Sequence, residues 1–157
     1  MTRLSHVDAD GSARMVDVTS KSDTVRRAVA RGSILMSAET LAAIRTNTVE
    51  KGDVLAVARV AGIMAAKRTA ELIPLCHSLP LTDVRMRLVP DESLPGIRVE
   101  AESATVAKTG VEMEAIVAVS IALVTIYDMA KSSDRQMTIT DIALVSKSGG
   151  LSGDWNR

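Results

Sequence analysis

The runs Val84-Arg85-Met86-Arg87-Leu88 and Ile97-Arg98-Val99-Glu100-Ala101-Glu102, joined through Pro90-Asp91-Glu92-Ser93-Leu94-Pro95-Gly96, decide the fold. Apolar residues fall at every second position on both sides of a turn rich in Pro, Asp and Gly, which is the pattern of two antiparallel strands with one face in water. The wet faces carry Asp83, Arg85 and Arg87 on one strand and mainly glutamates on the other. Cross-strand pairing favours that arrangement, although each exposed pair adds well under ~1 kcal/mol.

Toward the N-terminus the hairpin is preceded by Glu71-Leu72-Ile73-Pro74-Leu75-Cys76-His77-Ser78-Leu79-Pro80-Leu81. Pro74 has no N–H to give and biases Ile73 away from helical angles, so the apolar pattern beginning near Lys51 ends there as a helix of about Glu50 to Ile73. Between two prolines the segment 75–79 has little freedom to lose on folding, which suits it to hold the His77 ring in a fixed place. By itself the segment also reads as core, with His77 hydrogen-bonded nearby. Further upstream, Met15-Val16-Asp17-Val18 alternates like a short strand. Ser22 or Asp23 is placed to cap a helix that carries Val25, Ala28 and Val29 and closes at Gly32. Ile34-Leu35-Met36 is a brief apolar run, and Ser37 caps a helix with Leu41 and Ile44.

Toward the C-terminus, about Val111 to Lys131 reads as a helix apolar nearly all round, followed by a strand from Met137 to Val145. The alternation of that strand slips between Ile139 and Ile142, so a bulge is expected. Strand, helix, hairpin, helix, strand is the split βαβ plan: an α+β, ferredoxin-like antiparallel sheet with helices on one face. One sheet in so short a chain leaves part of the helix from Ala115 to Ile126 uncovered, which predicts a homo-oligomer.

Composition sets outer limits. A chain of 157 residues with 46% hydrophobic content fits a single domain spanning 1–157, with polar ends, 1–13 and 148–157, expected to be mobile tails. The 19 basic and 19 acidic side chains cancel, and one Tyr, one Trp and no Phe leave little to stack on bases. Neither nucleic acid nor a membrane surface is the expected partner. Cys76 is the only cysteine, which excludes an internal disulfide and a cysteine metal cluster and suits a reducing cytoplasm. The uncharged run Ala115 to Tyr127 is well short of the ~20 apolar residues of a membrane span.

Several charged residues break these patterns. Asp128 and Lys131 stand three apart at a helix C-terminus and so share a face. The negative end of the helix dipole tends to raise the carboxyl pKa while the lysine lowers it. Alone, the pair reads as a salt bridge. Glu112 and Glu114 flank Met113 at the opposite end, where the dipole favours acids without any function. Lys51 opens the long helix at the end unfavourable to a cation, a setting suited to proton transfer. After the last strand, Lys147-Ser148-Gly149-Gly150 offers backbone N–H groups of the kind that bind phosphate, although no Walker loop is present.

As a set, Met15–Val18, Lys51-Gly52-Asp53-Val54-Leu55, Ala61 to Thr69, Glu71 to His77, Thr109 to Ala115, Tyr127-Asp128-Met129 with Lys131, and Lys147 to Gly150 closely resemble the MoaC family. These are the cyclic pyranopterin monophosphate synthases of molybdenum cofactor biosynthesis. The resemblance spans nearly the whole chain. Ser78, where the family commonly has proline, and Ala130, where it often has cysteine, depart from it. It implies a lyase that converts 3′,8-cyclo-7,8-dihydroguanosine 5′-triphosphate, a cyclised GTP derivative, to cyclic pyranopterin monophosphate with release of pyrophosphate. Carried over by residue, Asp128, Lys51 and Lys131 are catalytic, and Leu75, Cys76, His77, Glu112, Met113 and Glu114 line the substrate site. Arg26 and Lys147 hold the triphosphate. The resemblance implies no metal ligands and no cofactor, leaving open a divalent ion that accompanies the triphosphate. It also implies a hexamer of three dimers with the site at a dimer interface. A non-catalytic oligomeric module binding a nucleotide or pterin is the competing reading.

Overall fold

The computed structural model describes residues 10–157. The element order is β1 (Thr24–Leu35), α1 (Ala38–Arg45), α2 (Val54–Lys67), α3 (Thr69–Leu72), β2 (Leu81–Asp91), β3 (Gly96–Ala107), α4 (Glu112–Ala130), β4 (Thr138–Ser148) and β5 (Trp155–Asn156). Among the described residues the strands form one sheet in the order β2-β3-β1-β4-β5, every neighbouring pair antiparallel. The first four strands therefore have the expected ferredoxin-like arrangement, with α2 and α4 packed side by side on one face.

The hairpin forms as its alternation requires. Arg85 lies opposite Glu102 and Arg87 opposite Glu100, while Val84, Met86 and Leu88 face Ser103, Ala101 and Val99 on the helix side. The bulge is present too. Thr140 pairs with Ser33 and Ala143 with Arg31, so one extra residue is accommodated near Asp141, whose φ is 57°. Aspartate tolerates that left-handed angle better than most side chains.

The segment 24–32 corrects the sequence expectation. It is not a capped helix but most of β1, the central strand, whose end takes in Ile34 and Leu35. Val25, Ala28 and Val29 satisfy a helical spacing, yet the burial alternates by two, with Arg26, Ala28, Ala30, Gly32 and Ile34 inward. Pairing along both edges, with β3 and β4, outweighs the helix propensity of the alanines. The small residues have a packing reason: a Cβ on Gly32 would come within 2.8 Å of Leu123 and 3.0 Å of Val119 on α4.

Other boundaries also move. Met15–Val18 has no regular structure. The long helix starts at Val54, because the Asp53 carboxylate accepts from the Ala56 N–H and fixes the first turn there. Lys51 consequently lies in the turn before the helix rather than in its first turn. Arg68 interrupts the helix between α2 and α3, and Ile73 is extended before Pro74. Of the expected tails, residues 1–9 lie outside the described residues. In the other, Trp155 and Asn156 pair with Lys147 and Ser146, and the Arg157 N–H donates to the Val145 carbonyl.

The core lies between the sheet and α4. Ile34, Ile97, Val99, Val119, Leu123 and Ile126 are fully buried. α4 has the length and apolarity of a membrane-crossing helix, but its buried side packs on β1, β3 and β4. α2 runs antiparallel to α4 at close range: a Cβ on Gly62 would strike the Met86 side chain and come within 2.9 Å of the Ala118 carbonyl.

Candidate active site

The two ends of α4 carry two separate groups of the predicted residues. At the C-terminal end, Lys51 Nζ donates to Asp128 Oδ2 at 2.9 Å and to the Asp128 main-chain carbonyl at 2.9 Å. Lys131 Nζ reaches Asp128 Oδ1 at 2.7 Å. Helix spacing delivers Lys131; Lys51 arrives because the antiparallel α2 begins beside the end of α4. The hydrogen bonds from Lys131 and then Lys51 hold the Asp128 carboxyl down to about 2, so the cations overrule the helix dipole. Each of the three side chains is about half exposed. The arrangement is a carboxylate gripped by two lysine side chains at the surface.

At the N-terminal end of α4 a cleft of about 360 Å³ opens between the 75–79 segment, the first turn of α4 and residues 16–21. Leu75, Cys76, His77, Glu112, Met113 and Glu114 line it. Val16, Val18, Lys21, Leu79, Thr109 and Gly110 complete the wall. His77 Nε2 lies 2.8 Å from the Val16 carbonyl, which can only accept, so Nε2 carries the proton. Glu114 is 4% exposed. Burial raises its pKa, outweighing a main-chain hydrogen bond that lowers it, and Glu112 adds to the rise. Burial, with Glu114 behind it, likewise pushes the Cys76 thiol up.

A smaller, strongly polar cavity of about 150 Å³ adjoins this cleft and shares Lys21, Thr109, Gly110 and Glu112 with it. Arg26 and Lys147 both line it. Arg26 is 8% exposed, and its donors go to main-chain carbonyls: Nε to Ala107 at 3.4 Å, and the two terminal nitrogens to Gly149 and Lys108 at 3.2 Å each. It thus ties the loop after β3 to the turn after β4. Gly149 and Gly150 have φ of +89° and +84°, and a Cβ at Gly150 would run into the guanidinium. The Gly149 N–H donates to the Asp154 carboxylate at 3.1 Å, so the glycine turn already holds an anionic group of its own chain. Lys147 Nζ lies 3.4 Å from Glu112 and 3.1 Å from the Ser152 hydroxyl.

Within one chain the two groups do not meet. Glu114 and Asp128 are fourteen residues apart on one helix, about 21 Å at the usual rise. A larger trough of about 610 Å³ lies on the uncovered sheet face among Arg31, Arg87, Arg98 and Asp141, but it contains none of the predicted site residues. Sequence reasoning missed Lys21, Lys108 and the wall made by Val16 and Val18. Only the Met15–Val18 motif signalled any of these.

A sequence model of the MoaC family matches residues 15–150. A cyclic pyranopterin monophosphate synthase of Dinoroseobacter shibae is 59% identical over 153 residues, covering 98% of this chain and 97% of the relative. The protein of that name from Brucella ovis is 56% identical over 153 residues, covering 98% of this chain and 93% of its own. With the family model matching most of its residues, and relatives more than half identical along nearly its full length, this chain belongs to the MoaC family.

Proposed function

We propose that this chain converts 3′,8-cyclo-7,8-dihydroguanosine 5′-triphosphate to cyclic pyranopterin monophosphate and pyrophosphate, as a lyase working by acid–base catalysis. The observation that carries the reading is the Lys51–Asp128–Lys131 group, in a chain nearly 60% identical to a protein named for this activity. The conversion rearranges bonds and moves protons without net electron transfer, so it requires no redox cofactor. A divalent ion travelling with the triphosphate is compatible with it. Held down to about 2 by the two lysines, the Asp128 carboxyl is ionised at neutral pH. Its role is to hold two ammonium groups in place and offset developing positive charge, while Lys51 and Lys131 carry the protons. A nucleotide-derived substrate implies a cytoplasmic enzyme.

The distance between the two ends of α4 supports a site shared between two copies. Laid across a two-fold axis, one chain's Asp128 end meets its partner's cleft, which gives each pair two complete sites. The exposed Val57, Val60 and Met64 on α2 and Val124 on α4 lie between the two ends, where such a contact would bury them. Three such pairs make the hexamer that the family resemblance implies; a monomer by light scattering at micromolar concentration rejects this arrangement. The activity test is incubation of the purified protein with the cyclised nucleotide. Pyrophosphate and the cyclic monophosphate are expected, and Asp128→Ala, Lys51→Ala and Lys131→Ala should each abolish them with fold and assembly retained. Tight binding without turnover would leave the non-catalytic module standing instead.

A further inference from the structure

We propose that Gly52 is a positioning residue for the reaction: its positive φ, with Asp53 capping α2 behind it, sets the turn that carries the Lys51 ammonium to Asp128. The inference rests on the acid–base reading above, in which Lys51 moves a proton. Of the two lysines on Asp128, only Lys131 is placed by its own helix, three residues along from the carboxylate. Lys51 lies 77 positions away in a turn, on a half-exposed side chain that donates to Oδ2 and to the main-chain carbonyl of Asp128, both at 2.9 Å. A flexible four-carbon stem has many rotamers, so where its Cα sits decides whether the ammonium reaches both oxygens.

The turn is anchored on both sides. Before it, the Gly52 N–H donates to the Val49 carbonyl at 2.9 Å, with Glu50 and Lys51 between them and Val49 buried in the core. After it, the Asp53 carboxylate accepts from the Ala56 N–H at 2.9 Å and Val54 is buried, which fixes the first turn of α2. Gly52 joins these two anchored parts at a φ of +90°, an angle that L side chains rarely adopt. Space is not the reason for this glycine, since a Cβ built on it meets nothing within 4 Å. At Gly62, by contrast, the same atom would strike Met86. What glycine supplies at position 52 is therefore the angle alone. A side chain that drives φ toward negative values rotates the Lys51 turn against α2 without a clash, and the lysine stem magnifies that rotation past hydrogen-bond reach.

The test is Gly52→Ala in the assembled protein, read by turnover of the cyclised nucleotide and by a crystal structure of the variant. The kcat should fall about a hundredfold with KM within about twofold, and the separation of Lys51 Nζ from Asp128 Oδ2 should open beyond about 3.5 Å. Gly52→Asn, whose side chain tolerates positive φ better than alanine, should recover about tenfold of the loss. Asp53→Ala and Asp53→Asn make the same comparison through the cap: kcat falls with alanine and is mostly restored by asparagine, which caps as well as aspartate without its charge. Should Gly52→Ala fail to assemble, the Asp53 pair decides, and an Asp53→Ala variant as active as the parent overturns the proposal. A parental kcat in Gly52→Ala, or the Lys51–Asp128 contact intact in its crystals, overturns the positioning role and leaves the catalytic reading in place. An open contact in those crystals beside a parent that converts no nucleotide supports Gly52 as what places Lys51 and rejects the catalytic reading.

Discussion

Glu114 shows how a single side chain can trade stability for a site. Its folded-state pKa lies above the ordinary 4.5, because the carboxyl is shut away from water at the floor of the cleft. The folded chain thus holds this proton more tightly than the unfolded one. The stabilising share is complete below about pH 4.5 and is lost as pH rises through the folded value. Glu114→Gln resembles the protonated acid at every pH, so it should match the parent in Tm at pH 4 and exceed it by about 2 °C at pH 8. Calorimetric scans at the two pH values decide it, and an equal gap at both rejects burial as the cause. The Asp128–Lys131 pair was legible in the sequence because a spacing of three on a helix fixes a shared face. Lys51 was legible as a candidate but not as their neighbour, since that contact spans 77 positions and exists only once α2 and α4 lie antiparallel.

Among the elements, the hairpin, α4 and the bulge near Asp141 were readable because each depends on a local pattern: a period of two, an uncharged run, or a slip in alternation. β1 was not. Its alanines, glycine and valines fit a helix as well as a strand, and only the edges of β3 and β4 on either side of it decide the matter. The start of α2 moved because the Asp53 side chain caps the first turn and leaves Glu50 and Lys51 before the helix. At Gly62 the contact of α2 with α4 has little slack, because beyond the Met86 side chain a Cβ would also come within 2.9 Å of the Ala118 main-chain carbonyl, which cannot rotate away. Gly62→Ala should therefore cost about 2 kcal/mol in urea unfolding despite the better helix propensity of alanine. A stabilised variant would mean that the two helices can separate freely.

For the whole molecule, the decisive geometry is that α4 holds the two groups of candidate residues apart. Lys51→Ala and His77→Ala should each be inactive as pure oligomers. If each site draws Lys51 from one copy and His77 from another, random mixing of the two variants in refolded pairs restores one intact site in every mixed pair, about a quarter of parental activity. No recovery on mixing, with exchange verified by mass, would place both groups of a working site in the same chain. The extent of the core was visible in the composition and in the apolar excess of α4. The separation of the two groups along α4 was not, because it appears only once the residues are placed on one helix.

A site shared across two copies, as proposed from the separation at the ends of α4, would make catalysis depend on how much of the protein is present. If the site is shared as proposed, a folded copy on its own owns two unfinished halves, and the rate per molecule should fade on dilution although no helix melts. Output would then respond to expression level more steeply than in proportion, with no effector needed to make it do so.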